Sequence, residues 1–323
     1  MELADSAPVI AFLVLLGLLA LFRGRRWTER LTERLQARAR VRGRTAVAFL
    51  VSLLQITVPI AGVLMFLTAL VASGMVGPQM TAILESVAGL AVAVYVSLWL
   101  AGRLFRDDAD DVFATLRADR SAATAARRVL VSVGAAVGLT LVVETITDLD
   151  QVPPGAHGVL LLPVYVLMGY LFWRASRLLR SDFTERGEDE GPGFQARALT
   201  LVANILVVIA VIGPTLAAIG YINATQAVMV PTANSLALIG LLLALQPVVR
   251  DLYAVVLRTT PEAAGDALMP VLVNFLLVFA ALPVFALIWG VRPETLFDVY
   301  ARFWEGMAIG DARITPSSIL AVA

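Results

Sequence analysis

Few residues in this sequence could perform acid–base, nucleophilic or metal chemistry. The chain has no cysteine and one histidine, His157, and all 25 of its basic residues are arginine. Disulfides, thiolate nucleophiles, Cys-based metal sites and Schiff-base lysines are therefore excluded. His157 lies in a predicted exposed turn that begins at Pro153, without a second histidine or a Ser–Asp pattern nearby. A solvated loop residue is therefore a better interpretation than a general base or a metal ligand, and we predict neither an enzyme nor a cofactor.

Polar residues inside apolar stretches are the other candidates, because burying them in lipid is costly. Glu85 and Glu144 lie near the ends of such stretches, where water can reach. We interpret both as interfacial carboxylates rather than as a proton relay. Four amides are interpreted as interhelical hydrogen-bond partners that contribute about 1 kcal/mol or less each: Gln55, Asn204, Gln246 and Asn274.

Composition and the length of the apolar runs predict the elements that hold these residues. Hydrophobic residues make up 59% of the 323-residue chain and charged residues 15%, whereas soluble domains contain about half and about a quarter. A helix of roughly 20 apolar residues crosses a bilayer and satisfies its own backbone. We predict an all-α integral membrane protein with eight transmembrane helices, at about 8–22, 45–72, 80–102, 129–147, 158–179, 198–222, 227–249 and 268–290.

The distribution of arginine predicts the orientation. Of the 25 arginines, 22 lie in or beside the connections that follow the first, third, fifth and seventh predicted helices. The alternate connections, at 73–79, 148–157 and 223–226, contain none. Arginine-rich connections face the cytoplasm, so the amino terminus is expected outside. The same alternation, with similar residues at the end of each returning helix, predicts helical hairpins throughout residues 45–290.

The basic connection at 23–44 is predicted to be a cytoplasmic amphipathic linker between the first transmembrane helix, 1–22, and the hairpins. A helix there aligns Trp27, Leu31 and Leu35 opposite arginines, so it can lie on the membrane surface and bind anionic lipid. The candidates for headgroup binding are Arg25, Arg26, Arg30 and Arg34. The alternative is an ordinary topology signal without lipid specificity.

A second amphipathic segment is predicted at 291–316, on the outer interface. Apolar residues recur there at helical spacing, opposite Glu294, Asp298 and Glu305, and we expect one helix over 294–309. Its aromatic rings suit the headgroup zone, which favours an interfacial helix over a contact with a soluble domain. The predicted interfacial anchors are Leu296, Phe297, Tyr300, Phe303, Trp304 and Met307.

Prolines within the spans predict kinks. A proline removes a backbone hydrogen bond, and membrane helices tolerate the loss when neighbours supply partners. The predicted kinks are at Pro59, Gly213 and Pro214. Coupled transporters usually have central charges or paired broken helices, and these residues are the only candidates that the sequence offers for broken helices.

The run from Phe303 to Leu320 resembles the segment that leads into the membrane core of large bacterial small-conductance-type mechanosensitive channels. In that family an Ile-Gly pair followed by an Ile-Ser-like helix start introduces the first core helix. Ile309 and Gly310 match the pair, so the apolar run at 317–323 is expected to begin a core helix of a longer chain. The Arg-rich linkers between apolar hairpins are also similar to the family's extended amino-terminal membrane region.

This resemblance implies that the chain is the peripheral, tension-sensing transmembrane region of a mechanosensitive ion channel that responds to osmotic downshock. It further implies a paddle of hairpins around a pore, membrane lipids in pockets between the hairpins, a homo-oligomer in the bacterial inner membrane and no nucleic-acid partner. Two other classes stay open, namely a membrane transporter or exporter subunit and a non-catalytic membrane scaffold. A pore sequence beyond Ala323 would favour the channel, and substrate-dependent uptake would favour the transporter.

The charge pattern predicts which positions a membrane-impermeant thiol reagent reaches in intact cells. Because the chain has no native cysteine, the single variants Ser73→Cys and His157→Cys should be labelled from outside. Gly43→Cys and Gly187→Cys should be labelled only after the membrane is permeabilised. The reverse labelling pattern would show that the predicted orientation is wrong.

Overall fold

The computed structural model of the protein describes residues 11–12, 14–20, 44–105, 120–151, 153–184, 194–256, 268–305, 307–309 and 312–314. The chain divides into two compact units, Met1–Asn274 and Phe275–Ala323. Most of the predicted basic linker, including Arg25, Arg26, Arg30 and Arg34, lies outside the described residues, and so does the predicted start of a core helix at 317–323.

The described part of the chain is helical except for one small hairpin. A short helical segment at residues 14–20 comes first. The helices that follow are α1 (Arg44–Ala72), α2 (Pro78–Leu104), α3 (Arg120–Leu149), α4 (Pro154–Thr184), α5 (Phe194–Ile219), α6 (Ile222–Val256), α7 (Leu268–Ile288) and α8 (Pro293–Glu305). The strands β1 (Met307–Ile309) and β2 (Ala312–Ile314) pair antiparallel.

Six helices, α1 to α6, are long and apolar enough to cross a membrane. Helix α7 contributes the shorter apolar stretch Leu272–Ile288. The prediction of a helical membrane protein is therefore confirmed. The described residues support six of the eight predicted spans, and the count of eight is not confirmed.

Glycines in the left-handed region follow three of the helices: Gly74 (φ 67°), Gly220 (φ 99°) and Gly290 (φ 84°). After α5 the Gly220 N–H donates to the Ala217 carbonyl at 3.0 Å, and the Tyr221 N–H donates to the Leu216 carbonyl at 2.9 Å. This pair of bonds closes a helix through a left-handed residue. The chain therefore turns at Gly220, and the predicted turn at 223–226 is wrong because those residues form the first turn of α6. Glycine, rather than the polar residues after it, supplies the required backbone conformation.

Close helix packing extends beyond the predicted hairpins. The most extensive contacts join α2 to α3 and α4 to α5, which are pairs connected by the Arg-rich segments rather than by the neutral turns. A Cβ at Gly134 of α3 would lie 2.9 Å from the Ala93 carbonyl oxygen of α2, and one at Gly138 would lie 2.6 Å from the Leu90 Cα. Small residues four positions apart allow this approach in lipid, where van der Waals packing draws helices together.

One buried core joins α3, α4, α5 and α6. Its fully buried large side chains include Leu161, Tyr165, Met168, Phe172, Leu206 and Met229. The outward faces of the helices are apolar as well. On α5 they expose between 47% and 63% of Ile205, Val208, Val211 and Ile212. Helices that are apolar on both the buried and the exposed face are typical of a lipid environment.

The single amphipathic helix predicted for the outer segment is two elements. Helix α8 ends at Glu305, and Met307 belongs to β1 rather than to the helix. The two strands pair antiparallel with Ile309 opposite Ala312. Gly306 also has a poor helix propensity. The prediction of Met307 as an anchor on a helix face is therefore wrong.

The glycine contact between α2 and α3 can be tested by adding a side chain. Gly138→Leu should destabilise the protein by about 1–3 kcal/mol, because the new side chain meets the α2 backbone and forces the two helices apart. The measurement is thermal unfolding in detergent. Ser132→Leu is the matched control, since Ser132 is exposed on the same helix. Equal stability of the two variants would contradict the proposed close contact.

Candidate functional site

An apolar cavity of about 150 Å³ lies among α2 to α6. It is lined by apolar residues, among them Leu104, Ala126, Val133, Ala175, Leu206 and Gly240. Ligand sites for catalysis combine an apolar wall with a few convergent polar groups, and the lining provides no such group. A dry apolar cavity of about this volume holds a small hydrocarbon. The cavity therefore suits a segment of a lipid acyl chain rather than a polar substrate.

Arginines adjoin the lining of the cavity in the chain: Arg103 precedes Leu104, Arg127 follows Ala126, and Arg180 follows Leu179. The Arg127 guanidinium reaches α2, since its Nη2 atom lies 3.9 Å from the position of a Cβ at Gly102. Arginines beside an apolar space suit an anionic lipid headgroup. In the sequence these arginines indicate only the topology.

Two polar contacts join α4 to α5 near this cavity. The Arg180 Nη2 atom donates a hydrogen bond to the Asn204 Oδ1 atom at 2.8 Å. The buried Ser176 hydroxyl donates to the Ala203 carbonyl at 2.8 Å. Asn204 is thus an interhelical hydrogen-bond partner, as predicted. Interhelical contacts of this type contribute about 0.6 kcal/mol on average, so they align the two helices more than they stabilise them.

Aromatic rings and arginines alternate on the exposed face of α4. The Arg177 guanidinium lies 5.0 Å from the centre of the Trp173 ring, and Arg174 donates to the Tyr170 hydroxyl at 3.2 Å. Tyr170 and Trp173 are 48% and 42% exposed. Such rings prefer the boundary between hydrocarbon and headgroups. This face therefore indicates that the carboxyl-terminal part of α4 lies at a membrane interface.

The predicted kink residues lie within continuous helices. Helix α1 runs through Pro59 and α5 runs through Gly213 and Pro214, so the kinks stay predictions. Pro214 cannot donate to the Ala210 carbonyl one turn earlier. A Cβ at Gly169 of α4 would lie 2.8 Å from that oxygen, which places the glycine backbone against the carbonyl that lost its helical donor.

Gly213 forms a second close contact, with α6. Met229 packs so closely on Gly213 that a Cβ there would overlap the methionine side chain. The buried Thr225 hydroxyl of α6 also donates to the Gly213 carbonyl at 3.2 Å. Gly213 therefore packs against α6 and Pro214 against α4. The presence of a proline in the helix did not by itself predict these contacts.

Glu85 and Glu144, both predicted to be interfacial carboxylates, differ in burial. Glu85 of α2 is exposed, as predicted for an interfacial carboxylate. Glu144 of α3 is half-buried, and its Oε1 atom is buried without a hydrogen-bond partner among the described residues. His157 faces Glu144 and is half-buried in the first turn of α4. The prediction that His157 is a solvated loop residue is therefore wrong. Within the described residues, no group of three metal-ligating side chains occurs.

The anchors predicted for the outer segment are partly described. On α8, Phe297 and Tyr300 are 72% and 61% exposed, whereas Leu296 is half-buried. Phe303 and Trp304 continue the same helix. The exposed rings are available to the headgroup zone, which agrees with an interfacial helix.

Comparison of the chain with protein-family models, with curated proteins and with solved structures gives no match.

The interfacial position of α8 can be tested with one charge. Tyr300→Glu should lower the accessibility to dissolved oxygen of a spin label at a Phe297→Cys site, because a carboxylate on the apolar face resists burial at the interface. Thr295→Glu adds the same charge on the polar face and should leave the label unchanged. The label is read by power-saturation spectroscopy in liposomes. Equal oxygen accessibility in both variants would show that α8 does not lie in the interface.

Proposed function

We propose that the chain is the peripheral tension-sensing transmembrane region of a mechanosensitive ion channel that responds to osmotic downshock. The observation that carries the proposal is the apolar cavity among α2 to α6, with arginines beside its lining. The resemblance of Phe303–Leu320 to the segment before the core of such channels indicates the class of protein.

A cavity that holds acyl chains can couple membrane tension to helix packing, because tension changes how much lipid the cavity holds. A force shifts an equilibrium only through a difference between the two states. If the resting packing holds lipid in the cavity, tension that thins the bilayer and draws lipid out favours a packing in which α2 to α6 close the space. The arginines keep the headgroup at the interface, so the exchange affects the acyl chain rather than the whole lipid.

The proposal includes an environment and partners. The chain is a multi-pass protein of the bacterial inner membrane, with the amino terminus outside and the Arg-rich connections in the cytoplasm. Its partners are membrane lipids and further copies of the same chain, and nucleic acid is not a partner. The exposed apolar residues of α7, among them Phe275, Leu276 and Phe279 at 61% to 67%, are available to lipid or to a neighbouring subunit. The chain is not an enzyme under this proposal.

The test is patch-clamp recording from cells that lack their own mechanosensitive channels. The complete gene product should give stretch-activated currents and protect these cells from osmotic downshock. Ala175→Phe should raise the tension needed for opening and leave the single-channel conductance unchanged. The added ring fills the cavity, mimics the lipid-filled state and stabilises it by about 2 kcal/mol.

Val166→Phe is the matched control, because Val166 lies on the same helix and is 48% exposed. It adds a phenyl group towards lipid and should leave the opening tension unchanged. If both variants change the opening tension equally, the cavity does not take part in gating. A complete protein that stays silent up to patch rupture and takes up solute with saturation kinetics would support the transporter alternative. One that shows neither activity would support the scaffold.

A further inference from the structure

One face of α4 is exposed from its second turn to its arginine-rich end. Its exposed side chains recur three or four residues apart, and this spacing places them on one side of a helix. They are Val159, Pro163, Val166, Leu167, Tyr170, Trp173, Arg174 and Arg177. The exposed face of α4 is therefore apolar at its beginning, aromatic further along and cationic at its end.

The length of this face matches the apolar thickness of a bilayer. Val159 and Arg177 lie about 18 residues apart, which is about 27 Å along a helix. The hydrocarbon core of a bilayer is about 30 Å thick. Tyr170 and Trp173 prefer the boundary of that core, so the arginines beyond them reach the phosphate groups of the same leaflet. The face thus lies along acyl chains and ends among headgroups.

Aromatic contacts hold both guanidinium groups at this end. The Arg177 guanidinium lies 5.0 Å from the centre of the Trp173 ring, and the Arg174 Nη1 atom donates to the Tyr170 hydroxyl at 3.2 Å. The two rings are themselves 6.1 Å apart between centres. A guanidinium group has five N–H donors, and a contact with the face of a ring uses none of them. Both arginines therefore keep donors for a further ligand.

The chemistry of the face specifies a ligand with two different ends. Guanidinium groups match the oxygens of a phosphate and bind them in bidentate pairs. The apolar part of the same face suits a long hydrocarbon chain rather than a polar molecule. A zwitterionic phospholipid has a phosphate too, but two neighbouring arginines repel its ammonium group. The ligand that fits the whole face is a phospholipid with a net negative charge.

We propose that Tyr170, Trp173, Arg174 and Arg177 form a binding site for one anionic phospholipid on the exposed face of α4. The lipid phosphate accepts hydrogen bonds from the two arginines, and an acyl chain lies along the apolar part of the face. The site is separate from the apolar cavity, which a different side of α4 lines through Ala175. It rests on the membrane environment of the helices and is independent of channel activity.

Quenching of tryptophan fluorescence by brominated lipids tests this site in liposomes that contain the 323-residue chain. The substitutions Trp27→Phe, Trp99→Phe, Trp289→Phe and Trp304→Phe leave Trp173 as the single tryptophan. Bromine on an acyl chain quenches a ring that it contacts. Quenching by brominated phosphatidylglycerol relative to brominated phosphatidylcholine therefore gives the relative binding constant of the anionic lipid at Trp173. Phosphatidylglycerol should bind more tightly.

Removal of one arginine should reduce this preference. Arg177→Gln should lower the relative binding constant about fivefold, because one arginine near the membrane surface contributes about that factor. Arg197→Gln is the matched control, since it removes the same charge from an exposed residue of α5, and it should leave the constant unchanged. Equal quenching by the two lipids before these changes would overturn the proposal. An equal effect of the two variants would also overturn it, by showing a general effect of surface charge.

Native mass spectrometry gives a second measurement that needs no change of tryptophan. It decides if the single-tryptophan chain does not elute as the wild type does in size-exclusion chromatography. The wild type should retain more phosphatidylglycerol than phosphatidylcholine, and Arg177→Gln should retain less phosphatidylglycerol than Arg197→Gln. Equal retention of the two lipids by the wild type, or of phosphatidylglycerol by the two variants, would contradict a specific anionic site on α4.

Discussion

Lipid offers no partner to a backbone amide and no hydrophobic force to bring two apolar helices together. The architecture follows from these two limits. Every described span is a helix that satisfies its own backbone except where a proline removes a donor, and the helices associate where small residues allow close packing. Gly134 and Gly138 bring α3 against α2, and Gly169 brings α4 against the proline turn of α5. Close contact at these few places leaves unfilled space elsewhere, and the apolar cavity among α2 to α6 is the result.

The same limits decide where polar groups can lie. Arginines and aromatic rings share the exposed face of α4, and the Arg180–Asn204 contact joins α4 to α5. Hydroxyl groups inside the bundle donate to backbone carbonyls, as Ser176 and Thr225 do across a helix interface. Glu144, Tyr165 and Asn274 fit neither pattern, because each has a buried side-chain oxygen without a hydrogen-bond partner among the described residues.

Sequence reasoning predicted the helical membrane class and the approximate bounds of the spans, because long apolar runs have one stable solution in lipid. It placed the turn after α5 at 223–226 because polar residues attract a loop assignment, whereas the φ of Gly220 decides the turn. It missed the α2–α3 contact because the GxxxG spacing of Gly134 and Gly138 was hidden in an apolar run. It treated Glu85 and Glu144 alike because position along a helix does not show which face is covered. The strands β1 and β2 were missed because the helical spacing of the apolar residues was given more weight than Gly306 and Gly310, which disfavour a helix.

The proposed lipid cavity and the close helix contacts share their helices. α3 and α4 line the cavity through Ala126 and Ala175, and the same two helices pack on α2 and α5 through Gly134 and Gly169. A helix that moves to close the cavity must therefore also shift at a glycine contact, where van der Waals packing holds it in place. Membrane tension that empties the cavity acts against these contacts, and it changes the packing only as far as the two packings differ in free energy under that force.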